Sequence, residues 1–139
     1  MKILVDTSIW SLALRRNEQR RPQAEIFELQ ELINEVRVQM IGPIRQEILS
    51  GIKEKAQFIK LKKILAAFPG LTLGSEDFEL AAEYFNTLRR HGIQGSNTDF
   101  RICAVSTRNN LPIFSNDNDF NHYKKYIPLV LHAPRTTKR

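Results

Sequence analysis

Four acidic residues occupy positions where carboxylates could act together: Asp6, Glu47, Asp99 and Asp117. Asp6 ends a short apolar run, and Asp117 lies three residues past the apolar part of a later run. If both runs are parallel strands, their carboxyl ends share one edge of a sheet and the two aspartates converge there. Asp99 falls in the first turn of a predicted helix, and Glu47 falls on a short helix after a predicted strand. We therefore expect all four carboxylates to face one crevice.

Carboxylates that meet in this way repel one another, and each resists ionisation unless a cation compensates its charge. Their hard oxygen atoms suit Mg²⁺ or Mn²⁺, and the sequence has no set of cysteines and histidines with the spacing of a zinc site. A divalent ion held by carboxylates lowers the pKa of a water ligand and neutralises charge on a phosphate oxygen. The residues therefore predict hydrolysis of phosphodiester bonds by metal-activated water. Each acid alone has an ordinary alternative as a cap, turn or surface residue, so the prediction depends on the four together.

The charge balance points to an anionic partner. The 139 residues carry 21 Lys and Arg against 15 Asp and Glu, which gives a net charge of +6 and a pI of about 9.7. Setting the four acids aside leaves 11 acids, so the pattern is that of a basic surface around an acidic pocket. Nucleic acid is the commonest partner of such a surface.

The length predicts a single domain that spans residues 1–139, with residues 135–139 as a frayed basic tail. The one cysteine, Cys103, excludes an internal disulfide and fits a reducing compartment. The N-terminal residues meet a carboxylate at Asp6 and do not resemble a signal peptide. Since no apolar run approaches the roughly 20 residues that span a bilayer, we expect a cytoplasmic protein with no membrane partner.

Apolar runs alternate with stretches of helical periodicity along almost the whole chain. The predicted strands are residues 3–5, 38–41, 71–73, 112–114 and 128–131. This alternation favours an α/β fold: a three-layer α/β/α sandwich with a mainly parallel sheet of four to five strands.

Several predicted helices have recognisable faces or ends. Ile26, Leu29, Ile33 and Val36 recur at helical spacing, which predicts one apolar face on a helix that starts at Pro22. Two further helices are predicted to begin at hydroxyl caps, Ser75 and Thr98, and the capping role predicted for Asp119 belongs to a helix starting at Phe120.

Four segments of the chain resemble, in order, the motifs of PIN-domain ribonucleases, and specifically of the toxins of VapBC-type toxin–antitoxin pairs. They are residues 3–10 (ILVDTSIW), 44–51 (IRQEILSG), 97–104 (NTDFRICA) and 113–120 (IFSNDNDF). No single motif is specific, but four in order at the expected separations are. The departures are small: Cys103 replaces a small residue, and Ser115 replaces a threonine while keeping the hydroxyl.

The resemblance implies a PIN fold, endoribonuclease activity and dependence on Mg²⁺ or Mn²⁺. It also implies a cognate antitoxin that blocks the site, and a homodimer. In this interpretation Asp6, Asp99 and Asp117 form the metal cluster, while Glu47 binds metal directly or orients its water.

Other residues are candidates for supporting roles, each with an ordinary alternative. Thr7 and Ser8 could hydrogen-bond Asp6 or a phosphate, or could only cap a helix. Asn116 could contact substrate or only make the turn. Asp119 could support the site or only cap the helix that starts at Phe120. Phosphate contacts supply most of the non-specific affinity for nucleic acid. The candidate RNA contacts are Arg15, Arg16, Arg20, Arg21, Arg89 and Arg90, although the first four could equally form a solvated loop or meet an acidic antitoxin.

Two alternatives remain open. The chain could be an RNA-binding or partner-binding module of the same fold that does not cleave, although the presence of all four acids weighs against this. It could also be a nuclease directed at DNA, although nothing in the sequence resembles the long arch or extra domains of such enzymes.

Overall fold

A four-stranded parallel sheet forms the centre of the protein, whose computed structural model describes residues 1–14 and 23–135. The strands lie in the order β3-β2-β1-β4 and are β1 (Ile3–Val5), β2 (Val38–Ile41), β3 (Gly70–Leu71) and β4 (Ile113–Phe114). Ile3 pairs with Val38 on one side of β1, and Leu4 pairs with Ile113 on the other. Every residue of β1 is buried, as expected of a parallel strand covered on both faces.

The helices between the strands complete the predicted three-layer α/β/α sandwich. They are α1 (Thr7–Leu14), α2 (Gln23–Asn34), α3 (Gly42–Leu49), α4 (Lys55–Leu65), α5 (Ser75–Arg90), α6 (Asn97–Asn109) and α7 (Asp119–Tyr123). The longest two, α5 and α6, pack along one another, and Leu88 and Phe100 are buried between them and the rest of the core. None of the described helices combines the length and hydropathy needed to cross a bilayer.

The sheet differs from the prediction at both edges. Residues 128–131 do not form a fifth strand: Leu131 makes one isolated parallel bridge to Ile113. Pro128 has no N–H to donate, and only the hydrogen bonds from Ile113 N to Val130 O and from His132 N to Ile113 O join this segment to β4. At the other edge, β3 begins at Gly70 rather than Leu71 and is only two residues long.

The predicted apolar face of α2 is wrong at its C-terminal end. The helix stops at Asn34, and Val36 lies beyond it with φ of 56° and 75% exposure. Leu29 is buried as predicted, but Leu32 is buried where the prediction had Ile33, which is exposed. The periodicity was misleading because a residue past the helix end no longer follows the helical rotation.

The predicted helix caps also shift. The N-cap of α5 is Gly74, whose N–H donates to Asp77 Oδ2 at 2.8 Å, and Ser75 is the first helical residue. The N-cap of α6 is Ser96 rather than Thr98, since Ser96 Oγ accepts from the N–H of Asp99 at 3.0 Å. Asp119 is itself the first residue of α7, and its N–H donates to Asp117 Oδ1 at 2.9 Å.

Candidate active site

Acidic side chains gather beyond the carboxyl ends of the two neighbouring strands β1 and β4. Asp6 directly follows β1, and Asp117 follows β4 after a turn of two residues. Asp99 lies in the first turn of α6, and Asp119 begins α7. The parallel pairing of β1 with β4 places both strand ends at the same edge, as the sequence pattern predicted.

Asp6 is held in a fixed orientation by three hydrogen bonds to a single carboxylate oxygen. The side chain is 5% exposed, and its Oδ2 accepts from Ser8 N at 3.2 Å, Ser8 Oγ at 2.7 Å and Ser115 Oγ at 2.9 Å. Among the residues that the structure describes, no hydrogen-bond donor contacts the other oxygen, Oδ1. Oδ2 is therefore saturated, and Oδ1 is the oxygen that the described residues leave for a cation.

The two serines also join the strand ends to each other. Ser8 Oγ accepts from the N–H of Asn116 at 2.9 Å, and Ser115 Oγ accepts from the N–H of Asp117 at 2.9 Å. Each hydroxyl therefore donates to Asp6 and accepts from the turn that carries Asp117. This arrangement supports a site role for Ser8, and the contribution of Asn116 is its backbone N–H.

The tightest carboxylate group consists of Asp99, Asp117 and Asp119. One oxygen from each lies within 4.8 Å of the others, which is the spacing at which a single ion could contact all three. Asp119 enters this group directly, beyond the capping role predicted for it. Asp6 is outside the 4.8 Å group but close enough for its charge to act on Asp99.

The electrostatics of Asp99 reflect this crowding. Burial is the largest cause that raises the pKa of Asp99 to about 6, and the negative charges of Asp6 and Asp117 raise it further. The hydroxyl of Tyr123 donates to Asp99 Oδ2 at 2.6 Å and acts in the opposite direction, as does Ser96. Among the described residues, no cationic side chain forms an ion pair with Asp6, Asp99, Asp117 or Asp119.

Glu47 reaches the crevice from α3 and lies outside the tight group. Its side chain is exposed, and Oε1 accepts from Thr7 Oγ1 at 2.6 Å. Thr7 is the residue next to Asp6, so this bond fixes Glu47 beside the site. The structure thus supports a positioning role for Thr7 in addition to its place as the first residue of α1.

Sequence reasoning missed Tyr123 and the glycine that accommodates it. Tyr123 is fully buried, and its ring packs against Phe100 and Phe120. A Cβ atom at Gly95 would lie 2.3 Å from Tyr123 Oη and 2.9 Å from the ring of Phe100, so this close approach requires glycine. No local pattern marks Tyr123, because its contact with Asp99 spans 24 residues.

The candidate RNA contacts fall into two groups. Arg89 and Arg90 end α5 and are exposed, with the guanidinium carbon of Arg89 4.9 Å from the ring centroid of Phe85. The others, Arg15, Arg16, Arg20 and Arg21, lie outside the described residues.

Comparison with known proteins adds an independent observation. The family model of the PIN domain matches residues 3–126. The chain is 31% identical over 123 residues to ribonuclease VapC11 of Mycobacterium tuberculosis and to a VapC ribonuclease of Mycobacterium bovis, and each alignment covers 86% of this chain and 89% of the relative.

Solved structures show the same fold at lower identity. The VapBC2 structure from Rickettsia felis, bound to a promoter DNA fragment, matches with a TM-score of 0.74 at 19% identity, covering 95% of this chain and 98% of that one. The FitAcB structure from Neisseria gonorrhoeae matches with a TM-score of 0.73 at 19% identity, covering 94% of this chain and 96% of that one.

Proposed function

This chain belongs to the PIN-domain family, and we propose that it is a metal-dependent endoribonuclease that acts as the toxin of a toxin–antitoxin pair. The observation that carries the proposal is the crevice in which Asp99, Asp117 and Asp119 converge beside Asp6, with no ion pair to a cation among the described residues. Its relatives at 31% identity are ribonucleases named VapC, and several proteins of the same fold were solved as VapBC complexes.

The donor set fits a hard divalent cation, Mg²⁺ or Mn²⁺. The charged side chains that converge on the crevice all offer carboxylate oxygens, and burial together with the negative charges of Asp6 and Asp117 raises the pKa of Asp99. We propose that Asp6, Asp99 and Asp117 hold the metal, with Asp119 as a fourth ligand. When bound, such an ion lowers the pKa of water and neutralises charge on a phosphate oxygen.

The hydrogen bonds around the aspartates keep their ligand geometry before metal arrives. Ser8 and Ser115 saturate one oxygen of Asp6, which leaves Oδ1 directed to bind. Tyr123 likewise donates one hydrogen bond to a single oxygen of Asp99, Oδ2. Since these donors are uncharged, they orient the carboxylates without supplying the positive charge that a metal would bring.

Glu47 is the acid best placed to move a proton. Its side chain is exposed to solvent, one oxygen is fixed by Thr7 and it stands apart from the tight group. We propose that it orients the attacking water and accepts its proton, with Thr7 holding the carboxylate in place. Asp6, Glu47, Asp99 and Asp117 are then the catalytic residues.

The basic surface suits an RNA substrate, with Arg89 and Arg90 as candidate phosphate contacts. We also propose that a cognate antitoxin blocks the acidic crevice and that the toxin forms a homodimer. Arg15, Arg16, Arg20 and Arg21 remain candidate contacts for either RNA or the antitoxin.

Cleavage of total cellular RNA tests the proposal. We expect purified protein to yield discrete fragments with Mg²⁺ or Mn²⁺, and none with EDTA or in Asp6→Asn. Glu79→Gln is the matched control, because Glu79 is an exposed acid on α5, away from the crevice. Cleavage that persists in Asp6→Asn would show that the proposed site is wrong.

Two further results would move the assignment to the alternatives. RNA binding without cleavage under any of these metals would favour the binding module. Equal cleavage of single-stranded DNA of the same sequence would favour a nuclease directed at DNA.

A further inference from the structure

A basic surface with exposed aromatic rings lies at the C-terminal ends of α5 and α7, and the segment after α5 leads to Asp99 while α7 begins at Asp119. His91 and Tyr126 stack with ring centroids 3.8 Å apart and an interplanar angle of 14°. Both are exposed, Tyr126 to 43%, and four exposed cations adjoin them in sequence. We call this surface the aromatic corner, and it consists of Arg89, Arg90, His91, Lys124, Lys125 and Tyr126.

The aromatic corner is connected to the catalytic carboxylates through Tyr123. The N–H of Tyr126 donates to the carbonyl of Tyr123 at 3.0 Å, and Tyr123 in turn donates to Asp99. On the facing segment, His91 contacts Tyr126 and Gly95 adjoins Tyr123. Residues 91–95 and 123–126 therefore run side by side, with the stacked rings at one end and Asp99 at the other.

The cations of the corner differ from the arginines that hold the fold together. Arg37, Arg108 and Arg135 each form an ion pair with a glutamate or aspartate. Within the described residues, Arg89, Arg90, Lys124 and Lys125 form no such pair. Their charge is therefore available to a polyanion.

We propose that the aromatic corner binds a single-stranded segment of RNA that flanks the bond to be cut, with a base stacked on Tyr126. This inference rests on the proposed function for its substrate. Single-stranded nucleic acid is bound by combining basic side chains along the backbone with aromatic faces that accept bases. A duplex keeps its bases stacked on one another, so it cannot use Tyr126 in this way.

The stacked rings distinguish this surface from the other basic surfaces of the described residues. Unpaired lysines also occur on α4, at Lys62 and Lys63, but no stacked aromatic pair accompanies them. Arg101 also lies over an exposed ring, with its guanidinium carbon 5.8 Å from the ring centroid of Phe78, but no second ring stacks there. Among the described residues, only the corner combines unpaired cations with a stacked pair of exposed rings.

Binding of fluorescein-labelled oligouridine in EDTA tests the inference separately from catalysis, because no metal-dependent cleavage occurs under that condition. We expect Tyr126→Leu to weaken binding of the single strand by about tenfold and to change duplex binding by less than twofold. Tyr126→Phe keeps the ring and should retain the affinity. Phe78→Leu is the matched control, since Phe78 is an exposed aromatic about 18 Å from Arg90 along the axis of α5.

A second variant tests the charges and remains informative if Tyr126→Leu fails to fold. Lys124→Gln combined with Lys125→Gln should reduce the salt dependence of log Kd by roughly 0.7 for each lysine. The matched control combines Lys62→Gln with Lys63→Gln on α4, and it should leave the salt dependence of log Kd unchanged.

The outcomes separate this inference from the proposed function. Loss of single-strand affinity in the corner variants supports the inference even if the wild-type protein cleaves nothing. Wild-type affinity in folded Tyr126→Leu, or equal losses in the control variants, would overturn it while leaving an observed cleavage activity intact. Loss of binding to an antitoxin protein with unchanged RNA affinity would also overturn it and assign the corner to that partner.

Discussion

Glu28 and Asp99 are carboxylates withdrawn from solvent in two regions of the protein, and their surroundings act on them in opposite directions. Glu28 on α2 is 1% exposed and accepts hydrogen bonds from His132 Nε2 at 2.6 Å, Arg135 Nε at 2.7 Å and Arg135 N at 3.0 Å. Burial alone would raise the pKa of Glu28, but these donors outweigh it and hold the pKa at about 2. Asp99 has only hydroxyl partners, Tyr123 and Ser96, among the described residues, and burial with the charges of Asp6 and Asp117 raises its pKa to about 6.

The difference distinguishes an acid that stabilises the fold from one that serves a site. Glu28 fixes residues 131–135 against α2, and Arg135 extends the network to Glu35 at 2.8 Å. Around Asp99, Asp6 and Asp117 add negative charge where the fold alone would favour a neutral residue. A group that lowers stability in the isolated protein persists when function requires it, which supports the proposal that the uncompensated cluster is the functional one.

The largest expected effect is the loss of stability when the carboxylate of Glu28 is neutralised. Glu28→Gln keeps the shape of the side chain but leaves Arg135 and His132 without their buried counter-charge. We expect the free energy of unfolding, measured with urea, to fall by about 2–3 kcal/mol. Glu31→Gln is the matched control, since Glu31 is 4.0 Å from Arg135 and one-third exposed, and it should cost less than about 0.5 kcal/mol. Equal losses in the two variants would contradict the role assigned to Glu28.

Neutralising the carboxylate of Asp99 should raise the free energy of unfolding, whereas neutralising Glu28 should lower it. Asp99→Asn relieves repulsion from Asp6 and Asp117, so we expect the metal-free protein to gain about 0.5–2 kcal/mol while cleavage is lost. Asp77→Asn is the control: Asp77 is 4% exposed, pairs with Arg108 at 2.8 Å and has a lowered pKa, so its loss should destabilise. Mg²⁺ should raise the melting temperature of wild type more than that of Asp99→Asn. A loss of stability in metal-free Asp99→Asn would refute the proposed repulsion.

The two regions should also respond to pH in opposite directions. Because the folded pKa of Glu28 is depressed from 4.5 to about 2, its stabilisation is complete above pH 4.5 and disappears as the pH falls towards 2. Because the folded pKa of Asp99 is raised from 3.8 to about 6, its penalty is absent below pH 3.8 and complete above about 6.

Unfolding in EDTA across this pH range measures both effects. The stability difference between wild type and Asp99→Asn should grow from pH 4 to pH 7. The difference between wild type and Glu28→Gln should stay constant over that upper range and shrink below pH 4.5. A constant difference for Asp99→Asn would show that its surroundings do not perturb it.

The sequence predicted those parts of the site that depend on local pattern. A buried β-branched run that ends in an acid predicts both a parallel strand and a carboxylate at its carboxyl end, and this holds for β1 with Asp6. The position of Asp117 shortly after the predicted strand β4 likewise placed its carboxylate at that edge of the sheet. The class of fold followed from the alternation of strands and helices, which is also a local signal.

Contacts between distant parts of the chain could not be predicted in this way. Ser8 meets Ser115 across 107 residues, and Glu28 meets Arg135 across the same separation. Both depend on how the strands are ordered in the sheet and on where the last segment crosses α2, which periodicity does not encode. The prediction of a fifth strand at the edge of the sheet failed for a related reason. Whether residues 128–131 form a strand depends on the hydrogen bonds that they make with β4.

The smallest expected effect concerns Tyr123, the one buried hydroxyl that opposes the rise in the pKa of Asp99. Tyr123→Phe keeps the ring against Phe100 and Phe120 and removes only the donor. We expect a cost of about 1 kcal/mol in stability and a shift of the acid limb of the cleavage–pH profile to higher pH, because Asp99 then ionises less readily.

A second buried tyrosine supplies the control for this change. Tyr84 donates to or accepts from Thr107 Oγ1 at 2.8 Å, away from the carboxylates, so Tyr84→Phe should cost a similar amount of stability. Its cleavage–pH profile should match that of wild type at saturating Mg²⁺. If both variants lower cleavage equally at every pH, Tyr123 acts through general stability; a shift confined to Tyr123→Phe means that its hydroxyl sets the ionisation of Asp99.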